Sequence, residues 1–327
     1  MTTVAHEAGV SIASVSRVLN GLPASQAMAA RVLEASERLG YVPDSAARSL
    51  KAGRTNQLAF AVPDISNPVY VEVMRSIEKA TKGSGFRLLV HSTGSVVEDE
   101  LDLLRSLRHR YVDGLVMTSL RLTDAHLDAL RTAAVPVVVI GTLPGGFPVD
   151  SVRIDSRLGV GLAVAHLVNG GRRAIGFVNG PPDTGPGRAR REGYEDALRV
   201  ANLGFDPNLV AAGGDFSHQA GYEATRSLLG RARPDGLFCA NDLLALGALK
   251  ALAEAGLEVP GKVAVVGLDD TELAGLTTPS LSSVSLGSAE RGRLAAKLLM
   301  ERLADPGMPP RCFEVEPSLV VRDSSRS

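Results

Sequence analysis

The chain has 327 residues, of which 45% are hydrophobic and 22% are charged, and its net charge at neutral pH is −1. This composition excludes a disordered chain, and the length suits a small head joined to a larger α/β body. The near-neutral charge also excludes a surface made basic throughout for nucleic acid.

The longest apolar runs, such as 135–140, are the size of strands, and no leader-like segment precedes the first helical pattern. The only cysteines are Cys239 and Cys312, so neither a disulfide framework nor a zinc site is predicted. We therefore expect a cytoplasmic protein with no membrane span, no cofactor and no bound metal.

The chain begins with the pattern of short helices around a tight turn. Gly9 permits the backbone turn that ends one helix, and Ser11 can cap the next by accepting from its free amides. Ser25 can cap a third helix that runs through Leu39. Three such helices fit a helix-turn-helix unit.

The second of these helices has two different sides. Its apolar side, which includes Val15, should pack, while the side with Arg17 and Asn20 stays available for a groove. On its own, one arginine on a polar helix face is more often a solvated surface. The longer pattern changes this reading: VSRVLN at 15–20, LGYVP at 39–43 and AARSL at 46–50 resemble the DNA-binding end of the LacI family of bacterial transcriptional regulators.

The resemblance implies that this second helix lies in the major groove with Ile12, Ala13 and Arg17 nearest the base edges. An arginine there can pair with guanine, and the two apolar side chains can meet a thymine methyl group. Four polar residues of this helix are expected to contact DNA phosphates: Ser11, Ser14, Ser16 and Asn20. An equal alternative is that these side chains only cap the helix or face solvent. The head is only mildly basic, so we expect two heads to act together in a homodimer.

The first helix departs from the family pattern, which has a capping threonine and an aspartate that are missing here. Thr2 or Thr3 could replace that cap, or the chain could start further upstream. Because a lost cap costs about 1 kcal/mol, we expect a less stable head than is usual in the family.

Residues 44–54 fit a short helix that is marginal in isolation. By resemblance this is a hinge helix that pairs with its dimer mate, with Ala47 and Leu50 on DNA and Leu50 wedged into the minor groove of the operator. The alternative is a plain linker with a stray leucine.

From Gln57 onward, strand-like and helical stretches alternate, and then the alternation restarts near Ala174. Repeated βαβ units imply parallel sheets covered by helices, and two similar halves imply two lobes with a cleft between them. Together with the family loops, this is similar to the periplasmic-binding-protein type I fold. We therefore predict an all-α head (1–43), a hinge (44–54) and an α/β two-lobed core of doubly wound parallel sheets (55–323).

The chain should cross between the lobes near Asp155, Leu286 and Arg311. The first lobe is then expected to comprise 55–155 plus 287–310, and the second 156–286 plus 311–323. Strand-like stretches continue close to the final residue, which favours a dimer over a tetramer held by a terminal helix.

By resemblance, Arg190, Asn241 and Asp269 bind the effector in the cleft. An arginine fork, an acceptor-only carboxylate and an amide can together orient several hydroxyls, so a sugar-like ligand is the simplest expectation. Four further candidates, two acids and two aromatic walls, are Asp64, Asp155, Tyr70 and Phe216. Asp242 and Asp270 are expected instead to cap the segments that follow them.

At two positions the sequence departs from the family residues that often contact the effector, so the class of ligand is less well defined. Val69 stands where an aromatic residue often precedes Tyr70, and Ser285-Leu286-Gly287 lacks a frequent glutamine. A smaller or less polar effector is therefore a hypothesis.

The sequence leaves three other functions to consider. Catalysis is not predicted, because the six histidines lack metal-ligand spacing and 180–185 imitates only the first half of a phosphate-binding loop. An exported solute-binding protein would carry a signal peptide in place of the head. A purine-responsive regulator with a corepressor is the remaining alternative to a sugar-responsive repressor that releases DNA.

Overall fold

The computed structural model describes residues 1–42 and 54–326, and the chain divides into two compact units, Met1–Asn56 and Gln57–Ser327. Most of the predicted hinge, with Ala47 and Leu50, lies outside the described residues. No helix in the described ranges is both long and apolar enough to span a membrane.

The first unit contains the three predicted helices, α1 (Thr2–Ala8), α2 (Ile12–Leu19) and α3 (Gln26–Arg38). Gly9 ends α1 in the left-handed region at φ 62°, and the Ser11 side chain accepts from the Ser14 amide at 3.1 Å. Val4, Val15 and Val32, one from each helix, are fully buried and form the core.

The start of α1 shows no replacement for the missing cap. Met1 occupies the capping position and makes no side-chain bond to the helix, and Thr2 and Thr3 are already inside α1. Neither threonine therefore supplies the cap that the sequence suggested.

The second unit contains two six-stranded sheets. In the first sheet all neighbouring strands are parallel, in the order β11-β5-β4-β3-β1-β2. Its strands are β1 (Gln57–Val62), β2 (Arg87–Ser92), β3 (Gly114–Met117), β4 (Val137–Ile140), β5 (Asp150–Ile154) and β11 (Cys312–Val315). The helices around it are α4 (Pro68–Thr81), α5 (Val97–Ser106), α6 (Asp124–Arg131) and α12 (Ser288–Ala304).

The second sheet has the order β12-β10-β9-β8-β6-β7 and is parallel except for β12, which runs antiparallel to β10. Its strands are β6 (Ile175–Asn179), β7 (Val210–Ala212), β8 (Gly236–Cys239), β9 (Ala264–Leu268), β10 (Ser282–Ser285) and β12 (Ser318–Val320). Its helices are α7 (Ser156–Asn169), α8 (Gly185–Val200), α9 (His218–Leu229), α10 (Asp242–Glu254) and α11 (Glu272–Leu276).

The third crossing between the lobes lies later than predicted. Residues 311–323 were assigned to the second lobe, but Cys312 pairs with Ser151 and β11 forms the edge of the first sheet. The buried Asp150 carboxylate holds this segment, because it accepts from the Arg311 amide at 2.8 Å and pairs with Arg302 at 3.0 Å. The chain therefore crosses between Val315 and β12.

The second lobe also extends beyond 323. The Ser324 hydroxyl donates to the Val265 carbonyl of β9 at 2.6 Å, and the Ser282 amide donates to the same hydroxyl at 2.8 Å. Both serines are buried, so the short 3-10 turn Asp323–Ser325 belongs to this lobe.

Candidate functional site

On α2, the predicted DNA-contacting residues divide by exposure. Ser11, Ile12, Ala13, Arg17 and Asn20 are exposed, while Ser14 and Ser16 are half-buried. Ile12 leaves 49% of its surface open although it is apolar, so it does not pack with Val15 as a core residue. The exposed face of α2 thus presents the three side chains predicted to meet base edges.

The polar residues of α2 already have local hydrogen bonds. The hydroxyls of Ser11 and Ser14 lie 3.0 Å apart, and the Asn20 amide donates to the Ser16 carbonyl at 2.6 Å and to its hydroxyl at 3.2 Å. These bonds cap and close the helix, which leaves Arg17 as the charged side chain of this face.

Between the two sheets lies a cleft of about 1130 Å³. It sits at the carboxyl ends of parallel strands, where ligands of such sheets bind. All seven residues predicted for effector binding line it: Asp64, Tyr70, Asp155, Arg190, Phe216, Asn241 and Asp269.

Two of these residues are exposed acids engaged in turns. Asp64 accepts from the amide and the hydroxyl of Ser66, both at 2.8 Å. Asp155 caps α7 by accepting from the amides of Arg157 and Leu158 at 2.9 and 3.0 Å. Each carboxylate keeps acceptor capacity, but its orientation is set by its own loop.

Asn241 supports the aromatic wall of the cleft. Its side-chain oxygen accepts from the Leu244 amide at 2.8 Å and caps α10, while its nitrogen donates to the Phe216 carbonyl at 3.1 Å. A Cβ at Gly180 would lie 2.2 Å from the Phe216 ring, so only glycine leaves room for the ring there. Asn241 therefore positions Phe216 as well as lining the cleft.

The inner end of the cleft combines buried charges of both signs. Arg190 is only 7% exposed, and its guanidinium lies 5.6 Å from the centre of the Phe216 ring. Asp269 is 6% exposed and has a φ of 108°, and its amide donates to the Val284 carbonyl at 2.8 Å. No ion pair within 4.0 Å joins Arg190 and Asp269 in the described part of the chain.

Burial governs the protonation of these groups. It raises the pKa of Asp269 to about 6, although Arg190 and Arg291 act to lower it. It also raises the pKa of Tyr70, with Asp269 as the next cause, so the phenol stays neutral at physiological pH. Burial lowers the pKa of both arginines, which remain charged because the reference value is so high.

Arg291 is a cleft residue that was not predicted from the sequence. It comes from α12, lines the cleft and donates from Nη2 to the Ser288 hydroxyl at 3.0 Å. The next residue explains its depth: a Cβ at Gly292 would lie 2.5 Å from the Val73 carbonyl, so glycine lets α12 approach α4 closely. A glycine inside an amphipathic stretch was the one available signal.

Asp242 and Asp270 do not cap the segments that directly follow them. Asp242 is buried and accepts from the amide and hydroxyl of Thr271 at 2.7 and 2.9 Å and from Ser283 at 2.5 Å. It therefore ties α10 to the start of α11, and burial raises its pKa to about 7. Asp270 pairs with Arg322 at 2.7 Å.

The two lobes are joined across the cleft by a paired contact that the sequence did not suggest. Arg121, after β3, donates from Nε and Nη2 to the two carboxylate oxygens of Asp183 at 2.7 and 3.2 Å. Beside it, the Gly185 amide at the start of α8 donates to the Leu120 carbonyl at 2.8 Å. These bonds link first-lobe and second-lobe loops at the cleft.

Comparison with known proteins agrees with both parts of the chain. The family described as "Bacterial regulatory proteins, lacI family" matches residues 1–44, and a periplasmic binding protein-like domain matches 164–325. The ribose operon repressor of Escherichia coli K12 is 34% identical over 331 residues, which covers 99% of each chain. The chain belongs to the LacI family.

Two solved structures show the same fold. The complex of the transcriptional regulator CelR with cellobiose is 34% identical, covers 98% of each chain and has a TM-score of 0.76. The lac repressor dimer bound to operator and the anti-inducer ONPF is 25% identical, covers 99% of this chain and 98% of that one, and has a TM-score of 0.85.

Family membership confirms the fold and the general function predicted from the sequence. The chain is a DNA-binding transcriptional regulator with a small-molecule-binding core, and it is not an enzyme. The particular residues assigned to DNA and to the effector stay predictions, developed below.

Proposed function

We propose that this LacI-family chain is a cytoplasmic repressor that releases its operator when a hydroxyl-bearing effector binds in the cleft. The observation that carries the proposal is the inner end of the cleft, where Arg190, Asp269 and the ring of Phe216 line one cavity. Arginine donates, a carboxylate accepts and a ring stacks, which is the set of contacts that a polyhydroxyl ring requires.

In this proposal α2 reads the operator. Arg17 makes a paired hydrogen bond to guanine, and Ile12 and Ala13 contact apolar groups in the major groove. Their exposure supports these roles, whereas the bonds among Ser11, Ser14, Ser16 and Asn20 support a structural part with phosphate contacts as a second role. Ala47 and Leu50 are proposed as the minor-groove contacts of the hinge.

The proposed assembly is a homodimer through the first lobe. Strand β2 forms an edge of the first sheet and exposes 41% of Leu89 and 36% of Val90. An exposed apolar edge strand is a surface that proteins usually cover. Two heads then bind two half-sites, which compensates for the modest charge of one head.

Selection from random duplexes with the full-length protein tests the proposal. We expect a near-palindromic site, and we expect addition of a pool of sugars and sugar derivatives to weaken binding to that site by about tenfold or more. Absence of any preferred duplex sequence would contradict the role of α2. Tighter DNA binding in the presence of the effector would show that the effector is a corepressor and not an inducer.

A further inference from the structure

The inner end of the cleft holds more positive than negative charge. Arg190 and Arg291 face it together, and the Nε atom of each is buried without a hydrogen-bond partner in the described part of the chain. A buried N–H group of a charged side chain without an acceptor is costly, because it has lost its water and gained nothing. Two such groups in one cavity indicate that a ligand supplies the acceptors.

Three of the other four arginines that line the cleft have carboxylate partners, and the fourth, Arg188, donates to the Asp183 carbonyl at 2.8 Å. Arg121 pairs with Asp183 at 2.7 Å, Arg153 with Glu314 at 2.6 Å, and Arg157 with Asp196 at 2.6 Å. Arg190 and Arg291 differ from them because no carboxylate lies within 4.0 Å of either in the described ranges. The missing acceptor is thus confined to the inner end.

The acids near the two arginines do not remove the surplus charge. Asp269 is the one buried carboxylate that lines this end within the described residues. Its negative charge acts electrostatically on both guanidinium groups and opposes the lowering of their pKa by burial. Asp270 is paired with Arg322, and Asp64 is turned toward Ser66. The charge of Glu72 likewise opposes the lowering of the pKa of Arg291 by burial, but Glu72 does not line the cleft. Two arginines and one lining carboxylate leave one positive charge.

We propose that the effector is a polyhydroxyl compound carrying one anionic group, a carboxylate or a phosphate, held between Arg190 and Arg291. The guanidinium fork matches both anions with two parallel hydrogen bonds, and both are acceptors only. The ligand hydroxyls then lie against Asp269 and Phe216. This inference rests on the proposed function, because it names the chemical class of the ligand for the same cleft.

The inference changes the hypothesis of a smaller or less polar effector. That hypothesis followed from Val69 and from the missing glutamine near Leu286, but Val69 is buried and Arg291 adds a charged donor to the cleft. A volume of about 1130 Å³ also accommodates a monosaccharide derivative with its anionic group. The cellobiose of the CelR complex is uncharged, so a charged ligand would set this chain apart from that relative.

Matched ligand pairs test the proposal by isothermal titration calorimetry on the full-length protein. The pairs are ribose with ribose 5-phosphate and glucose with gluconate and glucuronate, and inorganic phosphate and acetate serve as bare anions. We expect one anionic member to bind at least about tenfold more tightly than its neutral parent and than either bare anion. Preference for phosphate or for carboxylate identifies the anionic group.

Two variants assign the preference to a residue. Arg291→Gln should lose the preference for the anionic ligand, whereas Arg153→Gln, which removes a lining arginine already paired with Glu314, should keep it. We expect the Arg291→Gln protein without ligand to be at least as thermally stable as the wild type, because the substitution removes a desolvated charge whose Nε has no acceptor, at the cost of one hydrogen bond to the Ser288 hydroxyl.

The outcomes separate this inference from the proposed function. Neutral sugars that bind as tightly as their anionic partners and release DNA, equally in wild type and Arg291→Gln, would overturn the inference and leave the proposed function standing. Binding of inorganic phosphate as tight as that of any sugar derivative, an adventitious ion only, would also overturn it. Failure of every ligand to bind would overturn both.

Discussion

Helix α2 and the cleft are built in opposite ways. In α2 the bonds that shape the polar face join Ser11 to Ser14 and Ser16 to Asn20, neighbours within one or two helical turns. The cleft takes Tyr70 from α4 and Arg291 from α12, more than 200 positions later. The proposed DNA-contacting surface is therefore local in sequence, whereas the proposed effector site depends on how two lobes fold together.

The largest expected effect is on the cleft alone. Asp269→Ala removes the buried acceptor for ligand hydroxyls and should weaken effector binding by about 100-fold, because hydrogen bonds to charged groups contribute about 1.5–3 kcal/mol each. DNA binding without effector should not change. Calorimetry and duplex anisotropy measure the two quantities.

The neighbouring acid provides the control for that variant. Asp270→Ala removes a carboxylate at the next position, but one that pairs with Arg322 and does not line the cleft. Its effector affinity should stay within about twofold of wild type. Equal losses in the two variants would remove Asp269 from the site.

The Asp269 carboxylate should also make the free energy of unfolding depend on pH. Because the folded pKa of Asp269, about 6, lies above the 3.8 that is usual for an exposed aspartate, the folded state binds the proton more tightly than the unfolded state. The free energy of unfolding of wild type, relative to Asp269→Asn, should therefore rise as pH falls from 7 to 4, by about 2–3 kcal/mol. Urea unfolding across this range measures it, and a pH-independent difference would contradict the raised pKa.

The next effect separates the head from the cleft. Arg17→Ala should cost about 1–3 kcal/mol at the selected operator and relax the choice of one base pair, with unchanged effector affinity. Arg38→Ala is the matched control, since this head arginine pairs with Glu7 at 2.9 Å and lies on α3. Unaltered operator preference in Arg17→Ala would remove that residue from base recognition.

A packing change should reach the cleft through the backbone. Gly292→Ala places a Cβ against the Val73 carbonyl, so α12 must move from α4, and we expect a loss of about 1–2 kcal/mol in unfolding free energy and weaker effector binding. Gly161→Ala in α7 meets nothing within 4 Å and should be neutral or stabilising by up to about 1 kcal/mol. Similar urea midpoints for the two variants would contradict this packing argument.

The smallest effect concerns the contact between the lobes. Arg121→Gln removes an ion pair whose Asp183 carboxylate is exposed, so solvent weakens the pair and the fraction of molecules in which the two loops are in contact should fall only a few-fold. Small-angle scattering without ligand should report a slightly larger radius of gyration, and effector affinity should fall by less than about fivefold. A larger change would mean that this pair, rather than the ligand, holds the lobes together.

The three helices of the head and the polar residues at the strand ends were predicted from the sequence, because both depend on local patterns. Gly9 and Ser11 act on their own neighbours, and Asp269 follows directly after a buried apolar strand, so local patterns identify them. Arg291 lies in a helix whose depth is set by the contact of Gly292 with Val73 on a distant element. The glycine is visible in the local pattern, but the distant element that it packs against is not.

The third crossing was misplaced for the same reason. The strand-like pattern at 313–315 predicts a strand but not its partner, and the partner is decided by Asp150, which holds Arg302 and Arg311 from far along the chain. Three strands were not predicted from the sequence: β5 and β10 carry polar residues such as Asp150 and Ser282 at buried positions, and β7 is only three residues long.

The central claim is that ligand binding in the cleft controls the affinity of the head for operator DNA. The most direct measurement titrates the selected operator duplex against the full-length protein by anisotropy, with and without saturating effector, and titrates the effector by calorimetry with and without saturating duplex. We predict that the effector and the duplex each weaken the binding of the other by the same factor, about tenfold or more. Full effector binding with unchanged affinity for the duplex would contradict it.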